Sequence, residues 1–325
     1  MKRWFHWVRL GLGIILVALL VFHFAGVRAT WSVVLNAHPL PLAGCVAIYF
    51  VGVVLSCVKW QWLLRAQGIA APLAQLVQWY LMGSLAGTLL PSDVGGDLGR
   101  GYAAARNIGN SASVWSSIFM ERLTGLIALM ALASLALALM PEMLDAPAWL
   151  PLGAGIGIML AVVGLAAILG FSPVHLEHLP HRLSHIIRQF QEVAARYRNS
   201  ARTILACLGL SVVFHLGNAL SFWWLALAVN SDAPAATMTL WPLAGLFGLL
   251  PLTPGGLGVR EGVVAALLMH ARLSSDQAVA AAMIGRIVLL LCNLAGLPAL
   301  IATISSAHAR TPGTDETEIP NDVRA

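Results

Sequence analysis

The sequence predicts an all-α, polytopic membrane protein, with six full spans and two re-entrant helical hairpins in an inverted-topology repeat. Three observations predict it. Of the 325 residues, 59% are hydrophobic and only 10% are charged, against about 25% in soluble domains. So little polar surface cannot cover a soluble protein, and lipid must take its place. Apolar stretches recur at the length of about 20 residues that a helix needs to cross a bilayer. Between them, one Gly-Gly motif occurs twice at a fixed separation.

Six stretches are long enough to span, near 7–27, 40–62, 112–140, 150–171, 203–229 and 277–304. The first follows Met1-Lys2-Arg3 and exceeds a signal-peptide core of about 7–15 residues. Val27-Arg28-Ala29 is a poor cleavage site, so this span is expected to be retained. Two further apolar stretches, 72–90 and 238–250, end at Gly/Pro breaks and continue into short helix-like segments. Residues 173–202 are polar and carry five arginines, as in an amphipathic connection on the membrane surface. Residues 306–325 read as a disordered polar tail. The rest, 1–305, forms a single transmembrane domain with repeat halves near 1–140 and 150–305.

The net charge of +5 does not point to nucleic acid, because the basic residues lie between apolar runs. They set orientation instead. With the amino terminus inside, Lys2, Arg3, Arg9, Lys59, Arg65, Arg106, the arginines of 173–202, Arg310 and Arg324 are cytoplasmic, whereas only Arg28 and Arg272 face outward. Both termini are then cytoplasmic. Segment 72–111 must leave and return on the cytoplasmic side, and 238–271 on the outer side. Irregular backbone at membrane depth is tolerated only when it is buried in protein or lines a wet cavity. Both breaks should therefore face an internal cavity.

Residues 89–100 (LLPSDVGGDLGR) align with 249–260 (LLPLTPGGLGVR) at an offset of 160, with six of twelve positions identical. The same offset carries the flanking spans onto one another, and Arg122 falls near Arg286 with a four-residue slip. One half begins inside and the other outside, which is the inverted repeat of many transporters.

Each part of the break has a physical use. Pro91 and Pro251 stop the incoming helix. Gly95-Gly96 and Gly255-Gly256 permit positive φ and close backbone approach. Freed N–H groups and the next helix amino terminus favour an anion. Arg100 and Arg260 add a planar donor fork suited to phosphate. An arginine at the bilayer centre costs about 2.5–3.5 kcal/mol on insertion scales, so Arg100, Arg122, Arg260 and Arg286 need acidic partners. Asp93, Asp97, Glu121 and Glu261 are the candidates. The arginines either hold a lipid phosphate or pin the hairpins through ion pairs. His178, His181 and His185 read as a solvated face rather than a metal site. His215 and Asn218 fit helix–helix hydrogen bonding. Trp60, Trp62, Trp79, Trp223, Trp224 and Trp241 fit interfacial anchoring. The four cysteines lie in apolar segments as small hydrophobes.

The motif Leu-Leu-Pro-x-x-x-Gly-Gly-Asp-x-x-Arg, followed by Glu121-Arg122-Leu123 and later by Pro254-Gly255-Gly256-Leu257-Gly258-Val259-Arg260-Glu261, resembles the lysylphosphatidylglycerol synthase transmembrane-region family. The resemblance covers the chain to about residue 305. It implies a module that moves a lipid between leaflets of the bacterial inner membrane. The soluble domain that performs aminoacyl transfer in fused relatives is expected to be absent. The resemblance leaves the lipid open among phospholipid, hopanoid and polyprenyl- or glycolipid types. Lipid translocation is thus the leading expectation, with no cofactor, metal or nucleic-acid partner and no ATP-binding loop in the sequence. A non-catalytic partner of a separate lipid-modifying enzyme, and an intramembrane lipid-phosphate phosphatase using Ser92 or Thr253, are the alternatives. A homo-oligomer is left open.

Overall fold

The computed structural model describes residues 26–89, 94–139, 192–193, 195–248 and 253–308, with 11, 13, 15–20, 22, 153, 155–160 and 163. Pro91, Ser92, Asp93, Pro251, the three histidines of the polar connection and residues 309–325 lie outside the described set, as do most of 150–171 and 173–191.

All described secondary structure is helical. Four helices among the described residues are long and apolar enough to cross a membrane, at Pro39–Arg65, Ser111–Ala138, Ala201–Val229 and Ser275–Thr303, with mean hydropathies of 1.7 to 2.2. By length and hydropathy the chain is a multi-pass membrane protein. These four match the expected spans 40–62, 112–140, 203–229 and 277–304 to within a few residues.

A short helix, α1 (Val27–Leu35), fills the connection after the first apolar stretch. Its start is tied down by Gly26, whose N–H donates to the Asp276 carboxylate at 3.0 Å. Helix α2 (Pro39–Arg65) opens with proline at its first position, where no intrahelical N–H is required. It packs most extensively on α6 (Ala201–Val229). Between them, α3 (Leu73–Leu89) and α4 (Val94–Ile108) form a hairpin around the first break, and α5 (Ser111–Leu139) follows. The second half repeats this with shorter pieces. A 3₁₀ segment at Ala235–Leu240 leads into α7 (Trp241–Gly248), and a second 3₁₀ turn at Pro254–Gly256 leads into α8 (Val259–His270).

The last expected span is interrupted. Helix α9 (Ser275–Asn293) passes through a 3₁₀ turn, Leu294–Gly296, into α10 (Leu297–His308). Pro298 removes a backbone donor just after this turn, which loosens the α ladder there. Gly296 sits at the bend because a Cβ on it would lie 2.2 Å from the Leu81 carbonyl oxygen of α3. Helix α10 also extends past residue 305 into the first residues of the expected tail.

The α3–α4 hairpin is packed backbone to backbone. A Cβ on Gly83 would meet the Gly96 carbonyl oxygen at 2.6 Å and the Arg100 Cβ at 3.0 Å, and one on Gly87 would meet the Gly96 Cα at 3.3 Å. Small residues at helix contacts let backbones approach in this way. Gly95 and Gly96 lie within α4 and do not adopt positive φ. The left-handed expectation holds only in the second break, where Gly255, Gly256 and Gly258 have φ of 55°, 69° and 80°. One Gly-Gly pair serves close approach and the other serves the turn.

Of the six tryptophans expected at the interface, Trp60, Trp79 and Trp241 prove to be internal. Trp60 is fully buried with its Nε1 donating to Ser117 Oγ at 2.9 Å, and it lies against the buried Trp79. Trp241 starts α7 on the inner side of the fold. The cysteines are free and buried, as expected.

Candidate substrate-binding cavity

The glycine packing brings α4 close enough to α3 that Arg100, in the second turn of α4, is driven inward and left 2% exposed. Its guanidinium is held on several sides. Nε donates to Asp97 Oδ1 at 2.9 Å, and Nη2 donates to Glu121 Oε2 of α5. The guanidinium carbon stands 5.0 Å from the Trp60 ring centroid and 4.8 Å from that of Tyr80, within the range of cation–π attraction. Asp97 is shared, since its Oδ2 accepts from Arg122 Nε at 2.7 Å. Glu121 is shared too, with Lys59 Nζ 3.8 Å from its Oε1. Lys59 also donates to Ser211 Oγ of α6 at 3.0 Å.

Lys59 is therefore not on the cytoplasmic surface, where the charge count puts it. It is 5% exposed, inside α2. A lysine six positions from the end of a long apolar helix fits either reading by composition. Only the facing Glu121 and Ser211 decide it.

In the second half, Arg286 Nε donates to Glu261 Oε1 at 2.5 Å, and Arg286 Nη2 donates to the Gly255 carbonyl at 2.9 Å. Glu261 also accepts from Gly258 N at 2.5 Å, capping the amino terminus of α8. That terminus, expected to favour an outside anion, thus already holds a carboxylate of its own. The Thr253 hydroxyl donates to the Leu257 carbonyl at 2.8 Å, closing the turn.

The ion pairs correct the register of the repeat. Asp97 and Arg122 are separated by 25 residues, as are Glu261 and Arg286. Asp97 to Glu261, Arg122 to Arg286, and the helix starts Ser111 and Ser275 all differ by 164. The four-residue slip therefore falls in the break, before the pairs form. Arg100 lies in the second turn of α4, whereas Arg260 is the second residue of α8, so the two motif arginines hold different helical positions.

Both breaks line one cavity of about 390 Å³. Gly96, Asp97 and Arg100 reach it from the first, Gly255 and Arg260 from the second, and Arg122 and Arg286 from the long helices. Glu121 and Glu261 stand behind this lining and are buried, as are Gly95 and Gly256. Glu261 also lines an adjoining pocket of about 130 Å³ with Arg260 and Arg286. The breaks approach each other, since a Cβ on Gly255 would lie 3.8 Å from the Thr88 carbonyl oxygen.

A polar relay that the motifs do not announce forms another part of the wall. Tyr49 donates its hydroxyl to Asn293 Oδ1 at 2.6 Å, Asn293 Nδ2 donates to Thr88 Oγ1 at 2.7 Å, and Thr88 donates to the Ser84 carbonyl at 3.1 Å. His215 bonds the Gly125 carbonyl at 3.0 Å across helices, whereas Asn218 donates within its own helix at 2.8 Å. The signal for Asn293 was a lone amide in an apolar span, which is costly unless satisfied.

An all-α, multi-pass membrane protein with a polar, arginine-rich internal cavity between two glycine breaks is the class that this fold and site define. The chain belongs to the lysylphosphatidylglycerol synthase transmembrane-region family, whose family model matches residues 7–296. The match is to the membrane region of that synthase. No curated protein matches the chain.

Proposed function

We propose that the protein moves a phosphate-bearing amphipathic lipid between membrane leaflets, its head group passing through the central cavity while its tails stay in the bilayer. The carrying observation is that both breaks and Arg100, Arg122, Arg260 and Arg286 meet at one cavity. A phosphate is a well-matched acceptor for guanidinium N–H groups. Family membership supports the same reading, because the matched region is the membrane module of a lipid-modifying synthase.

In this reading the two halves form an inverted repeat of six spans and two re-entrant hairpins, in the bacterial inner membrane with both termini cytoplasmic. The equal spacing of the two acid–arginine pairs supports a repeat. Arg100, Arg122, Arg260 and Arg286 would receive the phosphate. Asp97, Glu121 and Glu261 keep the arginines charged and aimed, and Gly95, Gly96, Gly255 and Gly256 shape the breaks. The process is gradient-driven or a facilitated exchange.

The test is transbilayer movement of labelled native lipids in vesicles holding the purified protein. Acceleration that drops at least tenfold in Arg100→Gln and in Arg286→Gln is expected. No acceleration of any native phosphate lipid would sink the proposal and leave a non-catalytic partner role, while phosphate release from a lipid diphosphate would favour the phosphatase.

A further inference from the structure

A lipid whose head group sits in the cavity while its tails stay in the bilayer must pass its neck between two helices, so a seam in the wall has to part. The α2–α6 seam carries the most extensive packing in the fold. Two others join the long helix that follows each break to the incoming hairpin arm of the other half, α5 against α7 and α9 against α3. They are equivalent in register, since Asn293 stands 164 residues after Leu129, the separation of the two ion pairs, and both line the cavity. Their chemistry differs. Leu129 packs on Gly245, where a Cβ would come within 3.0 Å of the leucine Cδ1, and α5 runs unbroken past this contact from Ser111 to Leu139. Asn293 instead donates from Nδ2 to Thr88 Oγ1 at 2.7 Å, with its Oδ1 held by the Tyr49 hydroxyl at 2.6 Å. Directly after it α9 gives way to the 3₁₀ turn Leu294–Gly296, with Pro298 beyond. Leu291, Leu294 and Leu297 around that turn are 62%, 52% and 45% exposed, whereas Asn293 is 5% exposed. The wall is one helix thick here, with leucines outside and an amide inside.

We infer that the neck of the lipid passes through the α3–α9 seam, with the Asn293–Thr88 bond as its latch and the 3₁₀ turn as its hinge. This rests on the lipid-translocation reading above. Parting a seam exposes what it buried. At α5–α7 that is a leucine side chain packed on glycine, which gives a polar neck nothing to bond. At α3–α9 an amide and a hydroxyl lose one hydrogen bond and take another from the phosphate or ester oxygens of the neck, so opening strands no buried polar group. The lipid that enters replaces the bond that closed the way. The backbone favours the same seam. An unbroken helix keeps its full hydrogen-bond ladder and resists bending, whereas a 3₁₀ turn followed by proline has already given part of it up. Thr88 also lies in the last turn of α3, its carbonyl oxygen 3.8 Å from where a Cβ on Gly255 would stand. The latch therefore closes where the two breaks approach each other.

The experiment fastens each seam in turn. In a protein whose four native cysteines are replaced by alanine, Thr88→Cys with Asn293→Cys, and separately Leu129→Cys with Gly245→Cys, are joined by a short bis-methanethiosulfonate bridge that a reductant removes. Movement of tail-labelled phosphatidylglycerol, phosphatidylethanolamine and polyprenyl phosphate is followed in vesicles before bridging, after it and after reduction. The 88–293 bridge should slow movement at least about tenfold, as expected when a gating motion is blocked, and reduction should restore it. The 129–245 bridge should leave the rate within about twofold, because that seam stays shut throughout. A second measurement needs no cysteine. Thr88→Val with Asn293→Leu removes both polar partners, which is nearly neutral for stability, yet should slow movement, whereas Thr88→Ser keeps the hydroxyl and the rate. Movement unaffected by the 88–293 bridge, equal arrest by both bridges, or an unchanged rate in Thr88→Val/Asn293→Leu overturns the inference alone. If the unaltered, unbridged protein moves none of the three lipids, the translocation reading fails and the gate falls with it.

Discussion

Arg286 donates to Glu261 at 2.5 Å, and the same carboxylate accepts from the N–H of Gly258 at 2.5 Å. One acidic group thereby fixes both the start of α8 and the guanidinium that reaches back to the Gly255 carbonyl. In the first half Asp97 holds Arg100 and Arg122 together, and Glu121 holds Arg100 and Lys59. These shared carboxylates make the cavity wall an integrated unit, and its parts are separable by substitution.

Glu121→Gln leaves Lys59 and Arg100 facing each other in the interior without their common counter-charge. Breaking a buried ion pair by removing one partner costs about 3–5 kcal/mol. A large drop in unfolding temperature in detergent is expected, and Lys59→Met added to Glu121→Gln should recover part of it. An unchanged transition in Glu121→Gln would refute the network.

Arg122 has a side chain 55% exposed, whereas that of Arg100 is 3% exposed, although Asp97 binds both. Arg122→Gln should therefore cost under about 1 kcal/mol, in the range of solvated pairs, and Arg100→Gln several times more. Chemical denaturation of the two variants side by side checks the order.

Gly96→Ala places a methyl 2.6 Å from the Gly83 carbonyl oxygen. Overpacking of this kind costs about 1–3 kcal/mol, and here it pries α4 from α3. Gly262→Ala in α8 meets nothing within 4 Å and should be neutral or stabilising by up to about 1 kcal/mol. Equal effects of the two would show that the hairpin is not closely packed.

Among the second-break glycines, Gly256→Ala suffers only its left-handed backbone, about 1–2 kcal/mol, its new Cβ lying 3.5 Å from the Arg260 Cβ. Gly258→Ala adds a collision at 2.6 Å with the Leu16 Cβ and at 2.7 Å with the Gly13 carbonyl oxygen. The expected order of stability loss is Gly258→Ala above Gly256→Ala, read by thermal unfolding.

Opposite entry of the hairpins is testable with single cysteines. Asn110 joins α4 to α5, and Arg272 joins α8 to α9; both are exposed. With the four native cysteines buried, Asn110→Cys should react with an impermeant maleimide from the cytoplasmic side and Arg272→Cys from the outer side. Labelling from one common side would rule out the inverted arrangement.

The breaks were legible because glycine and arginine are conspicuous in apolar sequence, and because an ion pair needs an acid within reach of each buried arginine. Their register was not. Leu-Leu-Pro and Gly-Gly align at 160, yet the helix after the second break starts late, because three left-handed glycines lengthen its turn. Arg260 accordingly aligns with Arg100 in sequence but not in helical position, and motif spacing does not reveal that Glu261 accepts from Arg286, 25 residues on. Lys59, Trp60 and Asn293 were misread or passed over for a common reason. Each is set by a facing residue on a distant helix, Glu121, Ser117 and Tyr49 respectively, and helix periodicity within one segment carries no record of its neighbour.

The sharing of Asp97 between Arg100 and Arg122 has a consequence for how tightly any anion could be held. The cavity is not a bare cationic trap, because its arginines already have carboxylates of their own to return to. An arriving phosphate would have to compete with Asp97 for guanidinium N–H groups, and would be let go when the carboxylate reclaims them. Built this way, the wall works like an ion exchanger with its counter-ion tethered. Occupancy would then be brief, which suits the proposed task of handing a cargo on.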